Sequence, residues 1–260
     1  IGIIYLFIGG LSLSAFSDSI YGMALIIGGL AITILGLGQL GDGNFLHGFD
    51  KIVQDTPEKL NGFGKVDSDV VPWPTLFFGM FFKNLFFWCA NQMIVQKALA
   101  AKNLKESQKG AIYLSLFKVF GPLFTVLPGV VAFNYFNGSL DKSDNAYPAL
   151  VTSVLPEWAF GLFGAVIFGA ILSSFVGSLN STTTLLTLDF YKPIFGKNKS
   201  DKHIARVGHI ATVVIGVIVV ALAPVISLFP SGLYAVVQQF NGVYSMPVLA
   251  LILVAFFSKR

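Results

Sequence analysis

The stretch WAFGLFGAVIFGAILSSFVGSLNSTTTLLTL, residues 158–188, holds thirty-one positions without an Asp, Glu, Lys, Arg or His. A helix that crosses the hydrocarbon core of a bilayer needs about 20 mostly apolar residues. This segment exceeds that length. Its first half offers no polar face at all, and a helix apolar all round belongs in lipid or deep inside protein. The polar groups begin only at Ser173, and they are hydroxyls and amides rather than charges.

The same pattern repeats outward in both directions. Five more spans fall at 17–40, 74–97, 108–136, 203–229 and 231–257. Residues 1–10, IGIIYLFIGG, are apolar without a charged leader, so they read as the tail of a further helix rather than as a cleavable signal. Composition agrees. The chain is 55% hydrophobic and 12% charged, with mean hydropathy +0.75, whereas soluble domains carry roughly 25% charged residues. A water-facing surface needs charge and a lipid-facing surface excludes it. A soluble enzyme or binding module is thereby ruled out. The net charge of +4 carries no nucleic-acid signal, because the basic residues sit in short connections between spans. Cys89 stands alone, so the chain contains no disulfide framework. No metal-ligand cluster, nucleotide loop or nucleophile triad is present, and no cofactor is implied.

Connections of opposite charge alternate. Residues 41–73 hold Asp42, Asp50, Asp55, Glu58, Asp67 and Asp69 against Lys51, Lys59 and Lys65. The next connection holds Lys97, Lys102, Lys105 and Lys109 against Glu106. Then come Asp141, Asp144 and Glu157 against Lys142, followed by Lys192, Lys197, Lys199, Lys202 and Arg206 against Asp189 and Asp201. Lys259 and Arg260 close the chain. Basic connections stay in the cytoplasm, so the expected arrangement is a multi-pass plasma-membrane protein (the inner membrane, in a bacterium) with the C-terminal end cytoplasmic. Trp73 and Trp158 fall at expected outer boundaries, where interfacial aromatics collect.

Polar residues inside the spans mark candidate sites, because burying them in a membrane is costly. Lys118 lies ten residues into its span, about 15 Å deep and near the midplane. It is read either as a solute contact or as half of an ion pair. Ala170, Ser173 and Ser174 share one helix face at i, i+3 and i+4. Two hydroxyls with backbone carbonyls suit an alkali cation, and the same small residues suit helix packing. Asn84, Phe87 and Trp88 sit mid-span in NLFFW, where a helix break would open a solute site. Gln238, Gln239 and Asn241 lie early in the last span, ahead of Pro247.

Several segments carry a family resemblance. WCANQMIVQKALAAKNLKESQKG (88–110) resembles the Trp-x-x-Asn-Gln-x-x-x-Gln-Arg/Lys stretch and basic loop of the sodium/solute symporters, sodium/glucose branch. AILSSFVGSLNSTTTLLTLDFY (170–191) resembles their Ser-Ser…Leu-Asn-Ser-Thr helix. IGGLSLSAFSD (8–18) resembles their Gly-Gly-Leu…Thr/Ser-Asp turn, and DNAYPALVTSVLP (144–156) also fits. The resemblance covers essentially the whole chain. It implies an all-α inverted-repeat fold like that of the leucine transporter. Residues 1–40 would be the last helices of the first repeat, 41–73 an external loop, and 74–257 the second five-helix repeat.

It implies sodium-coupled symport of a sugar or polyol (glucose, galactose or inositol-like) by alternating access, with sodium as coupling ion and the bilayer as surroundings. Another small solute (sialic acid, a carboxylate, a nucleoside, an amino acid) and a non-transporting sugar sensor are the alternatives. Residue by residue, Ala170, Ser173 and Ser174 match sodium ligands, and Asp18 matches an acid on the inward sodium exit path. Asn84, Lys118 and Gln238 match polar contacts to the hexose, and Trp88 matches an aromatic beside it. Phe87 takes the place of a stacking tyrosine, and Tyr21 the place of a usual glutamine. Val176 stands where two-sodium relatives carry threonine, which implies one sodium per cycle. Lys83 has no counterpart. It implies an anionic solute or a salt bridge.

Overall fold

A computed structural model describes residues 2–63, 66, 72–140, 142–226 and 233–258. Lys65, Asp67, Asp69, Asp141, Phe229, Ser231, Lys259 and Arg260, used in the assignments above, lie outside the described residues. The chain is an all-α, polytopic membrane protein. Its helices are α1 (Gly2–Leu40), α2 (Phe45–Asp55), α3 (Trp73–Phe77), α4 (Gly79–Cys89), α5 (Gln92–Leu99), α6 (Leu104–Thr125), α7 (Leu127–Tyr135), α8 (Ala146–Val154), α9 (Glu157–Thr184), α10 (Lys192–Ile194), α11 (Asp201–Ile226) and α12 (Leu233–Phe257). Among the described residues, five stretches are long and apolar enough to cross a membrane: Leu13–Leu40, Leu104–Tyr135, Glu157–Ile194, Asp201–Val225 and Val237–Phe257.

Three expectations need correction. The tail at 1–10 and the span at 17–40 are one helix, α1, because no proline interrupts residues 2–40 and the Gly-Gly-Leu turn stays helical. The 74–97 span is three short helices rather than one. The N–H groups of Ala90 and Asn91 both bond to the Phe86 carbonyl, at 2.9 and 3.0 Å, which ends α4. The Asn91 side chain then accepts from the Met93 N–H at 2.9 Å and starts α5. Such a cap stabilises a helix by about 1 kcal/mol. The 108–136 span divides into α6 and α7 at Val126, between Pro122 and Pro128.

The chain forms two compact units. One comprises 19–73 and 103–171, the other 1–18, 74–102 and 172–260. In the first, Ile32 of α1, Ile52 of α2, Val131 of α7 and Leu150 of α8 are fully buried together, with Phe163 of α9 against them. Helices α2 and α8 belong to connections between spans, so burying Ile52 and Leu150 removes them from water. That contributes roughly 1.5–3 kcal/mol for each side chain.

Helix α1 ends where Asp42 and Gly43 turn through positive φ, at 54° and 99°. Beyond the turn, α2 folds back onto α1 so closely that a Cβ on Gly48 would lie 1.9 Å from the Leu37 carbonyl oxygen. The Lys51 ammonium donates to the Leu40 carbonyl at 2.7 Å and to Asp42 at 3.0 Å. That hydrogen bond and charge hold the Asp42 carboxyl below its ordinary range.

The second unit packs α4 against α12, where Phe86 meets Tyr244 edge to face at 5.8 Å. It also packs α9 against α11 through Val176, Leu179 and Ile215.

Candidate cation and solute sites

Three elements of the second unit meet at Asp18. One carboxylate oxygen accepts the Ser173 hydroxyl of α9, and the other accepts the Lys97 ammonium of α5. Ser173 is buried, while Asp18 and Lys97 keep 20% and 30% of their side chains exposed. Asp18 and Lys97 therefore form a partly buried ion pair. Ser173 gives its proton to Asp18, so what it still offers is oxygen lone pairs, the donor type a hard cation takes. Close by in sequence, the buried Ser17 hydroxyl donates to the Leu13 carbonyl at 2.7 Å, and the buried Ser14 hydroxyl has no partner among the described residues. Ala170 precedes Ser173 by one turn and is half-buried, whereas Ser174 is exposed. Two of the expected sodium residues therefore lie on the same helix as Ser173, and Ser173 itself is bonded to the expected exit acid.

The expected solute residues come together in part. Asn84, Phe87 and Trp88 lie on α4 just ahead of the helix break. The two rings meet edge to face at 5.0 Å. Asn84 is exposed, and its amide donates to the Met80 carbonyl at 2.9 Å, along its own helix. Gln238 of α12 accepts a hydrogen bond from Lys83 of α4. Lys118 is exposed on α6 and belongs to the other unit.

Sequence reasoning missed three of these connections. It placed Lys97 in a basic loop, although a lysine at a span end and an acid inside another span are natural partners. It left Lys83 without a partner. It also gave no role to Gln96, whose side chain is buried and accepts from Asn180 at 3.3 Å while its own amide N–H2 has no partner among the described residues. The usable signal was the density of polar residues in 83–97, six within fifteen positions of otherwise apolar sequence.

The profile of the sodium:solute symporter family matches residues 1–260. The chain belongs to that family. Among curated relatives of this symporter chain, YidK of Escherichia coli (strain K12), a symporter, is 42% identical over 259 residues, covering 100% of the chain and 45% of the relative. The sodium/glucose cotransporter of Vibrio parahaemolyticus is 30% identical, covering 99% and 51%. The human sodium/myo-inositol cotransporter is 27% identical, covering 97% and 40%. The chain thus spans about half the length of the relatives it matches. The family and these relatives are transporters by name, not enzymes.

Proposed function

We propose that the protein to which this chain belongs is a secondary active transporter that couples inward sodium flow to uptake of a sugar or polyol by alternating access. The observation that carries the reading is the junction at Asp18. A ring of oxygen and charge inside apolar helices is costly to keep, so it serves a cation pathway. Sodium would bind at Ala170, Ser173 and Ser174 and leave past Asp18, displacing the Lys97 ammonium from the carboxylate as it goes. The solute would bind near the midplane among Asn84, Phe87, Trp88 and Gln238, next to the break that ends α4, with Lys118 a further contact by resemblance alone. Discontinuous helices are where such transporters place their solutes. The names of two relatives, a sodium/glucose and a sodium/myo-inositol cotransporter, favour a neutral polyhydroxylated solute. On this reading 1–40 completes the first repeat, 41–73 is external, 74–257 is the second repeat, and the C-terminal end is cytoplasmic.

One observation favours a second reading. Lys83 places a cation on Gln238, which suits an acidic sugar. The test of the proposal is sodium-jump uptake by the full-length protein in proteoliposomes. Labelled hexose or inositol should accumulate above its external concentration only with an inward sodium gradient. Binding without accumulation would make the protein a sensor instead.

A further inference from the structure

We propose that a cavity between the end of α9 and α11 is a binding site for a hydroxylated phosphate ester, the chemistry of a phosphoglycerol headgroup. The cavity holds about 390 Å³, and its lining includes Asn180, Thr183, Thr187, Lys192, Asp201 and Thr212. That volume lies within the roughly 300–1,000 Å³ of small-ligand sites.

The walls divide into two kinds of group. The Thr183 hydroxyl donates to the Leu179 carbonyl at 2.9 Å, and the Thr212 hydroxyl donates to the Gly208 carbonyl at 2.9 Å. Both protons are spent along their own helices, so these two walls present lone pairs to the cavity. Thr187 is different. It is 5% exposed, and its hydroxyl has no partner among the described residues. An unmade hydrogen bond at a buried hydroxyl is unfavourable, and native structures rarely leave one unless something fills it. Gly208 of α11 keeps the opposite wall close, since a Cβ there would sit 3.5 Å from the Thr187 hydroxyl. At the mouth the Lys192 ammonium stands 3.8 Å from an Asp201 carboxylate that is almost wholly exposed. This is a loose pair that a better anion can replace.

The local backbone is unusual in the same place. Leu185–Tyr191 is π-helical, and the Lys192 N–H reaches the Thr187 carbonyl five residues back. Pro193 has no N–H, so the Leu188 carbonyl gains no bond from that position. Single π segments recur at functional sites.

A phosphate ester with adjacent hydroxyls matches both kinds of wall. Phosphate oxygens accept from Thr187 and Lys192, and ester hydroxyls donate to Thr183 and Thr212. The surrounding charge favours the anion. Residues 192–206 carry Lys192, Lys197, Lys199, Lys202 and Arg206 against Asp201. Basic pockets at the ends of membrane helices take anionic headgroups.

The test is thermal unfolding of the full-length symporter in detergent, with dihexanoyl phosphatidylglycerol, dihexanoyl phosphatidylcholine or glycerol 3-phosphate added. Phosphatidylglycerol should raise Tm and phosphatidylcholine should not. Lys192→Gln and Thr187→Val should each remove most of the rise. Asp201→Asn, which releases Lys192, should enlarge it. Ala205→Leu, which fills the cavity from α11 without touching a polar wall, should abolish it. An equal rise with glycerol 3-phosphate would assign the site to a soluble ester, and a rise with the lipid alone would assign it to the bilayer. No rise with either compound, or a rise unchanged in Lys192→Gln and Thr187→Val, overturns the proposal.

Discussion

Ser173 is the residue on which the sodium reading turns, because its hydroxyl proton is committed to Asp18 while its lone pairs are not. Replacing it with alanine removes the oxygen proposed to bind sodium and, among the described residues, one of two partners of the carboxylate. Losing such a partner in a largely buried place costs about 1–3 kcal/mol. In sodium-driven uptake this predicts roughly a 5- to 150-fold rise in the sodium concentration for half-activation. A Ser173→Ala protein with unaltered sodium dependence would mean that the serine only packs α9. Val176, three residues on, is fully buried and stands where the resemblance places a threonine in two-sodium relatives. On that resemblance we expect one sodium per solute, and a charge-to-solute flux ratio of two would refute it.

At the scale of elements, the return of α2 onto α1 is set by backbone contact. A methyl group on Gly48 would overlap the Leu37 carbonyl, which cannot rotate away as a side chain could. Overpacking costs about 1–3 kcal/mol where side chains can adjust, so Gly48→Ala should reach at least the upper end of that range. Lower Tm and loss of folded protein at the membrane are the readouts, and a Gly48→Ala protein of normal Tm would contradict the packing. The Lys51–Asp42 pair beside it follows a definite sign. A carboxyl held below its ordinary range stabilises the fold above the unfolded pKa, and that contribution fades as pH falls through the folded one. This α1–α2 packing was invisible in the sequence. Long spans are legible because apolar length is a one-dimensional property, and loop charge alternation predicts their orientation. Helices α2 and α8 were missed because their helicity rests on Ile52 and Leu150 meeting α1 and α7, contacts between residues far apart in the chain. The sequence raised a break in this span only around NLFFW, and the capping side chain of Asn91 is what sets it after Cys89. Ser173 and Asp18 entered as candidate site residues through resemblance, but their mutual bond, across a separation of 155 residues, was not legible.

For the whole molecule, the alternation of charged connections predicts an orientation, and the polar residues of α4 and α12 are the ones proposed to bear on the solute. Cysteines at Lys105 and Lys199 should resist membrane-impermeant reagents in intact cells while one at Asp144 reacts, and the reverse labelling would invert the topology. The solute question narrows to Lys83. Among the described residues its ammonium bonds to the neutral Gln238 amide and to no carboxylate. A neutral sugar uses this pair as a donor and an acceptor for two hydroxyls, with Phe87 and Trp88 as flat surface for the C–H face of a pyranose. An acidic sugar instead uses Lys83 as its counter-ion. The two roles separate on neutralisation. With a neutral sugar, Lys83→Gln keeps a hydrogen-bond donor and lowers uptake by no more than the roughly tenfold expected of one buried polar contact, the same loss expected for Lys118→Ala and Gln238→Ala. Phe87→Tyr should leave that uptake intact. With an acidic sugar, Lys83→Gln strands a carboxylate in a dry site and should abolish uptake, while Lys83→Arg should retain it. We expect the neutral outcome: labelled hexose or inositol accumulates, and sialic acid and short carboxylates neither accumulate nor compete. Accumulation of an acid that neutral sugars fail to inhibit, lost in Lys83→Gln and kept in Lys83→Arg, would replace the neutral solute with an anionic one and make Lys83 its direct partner.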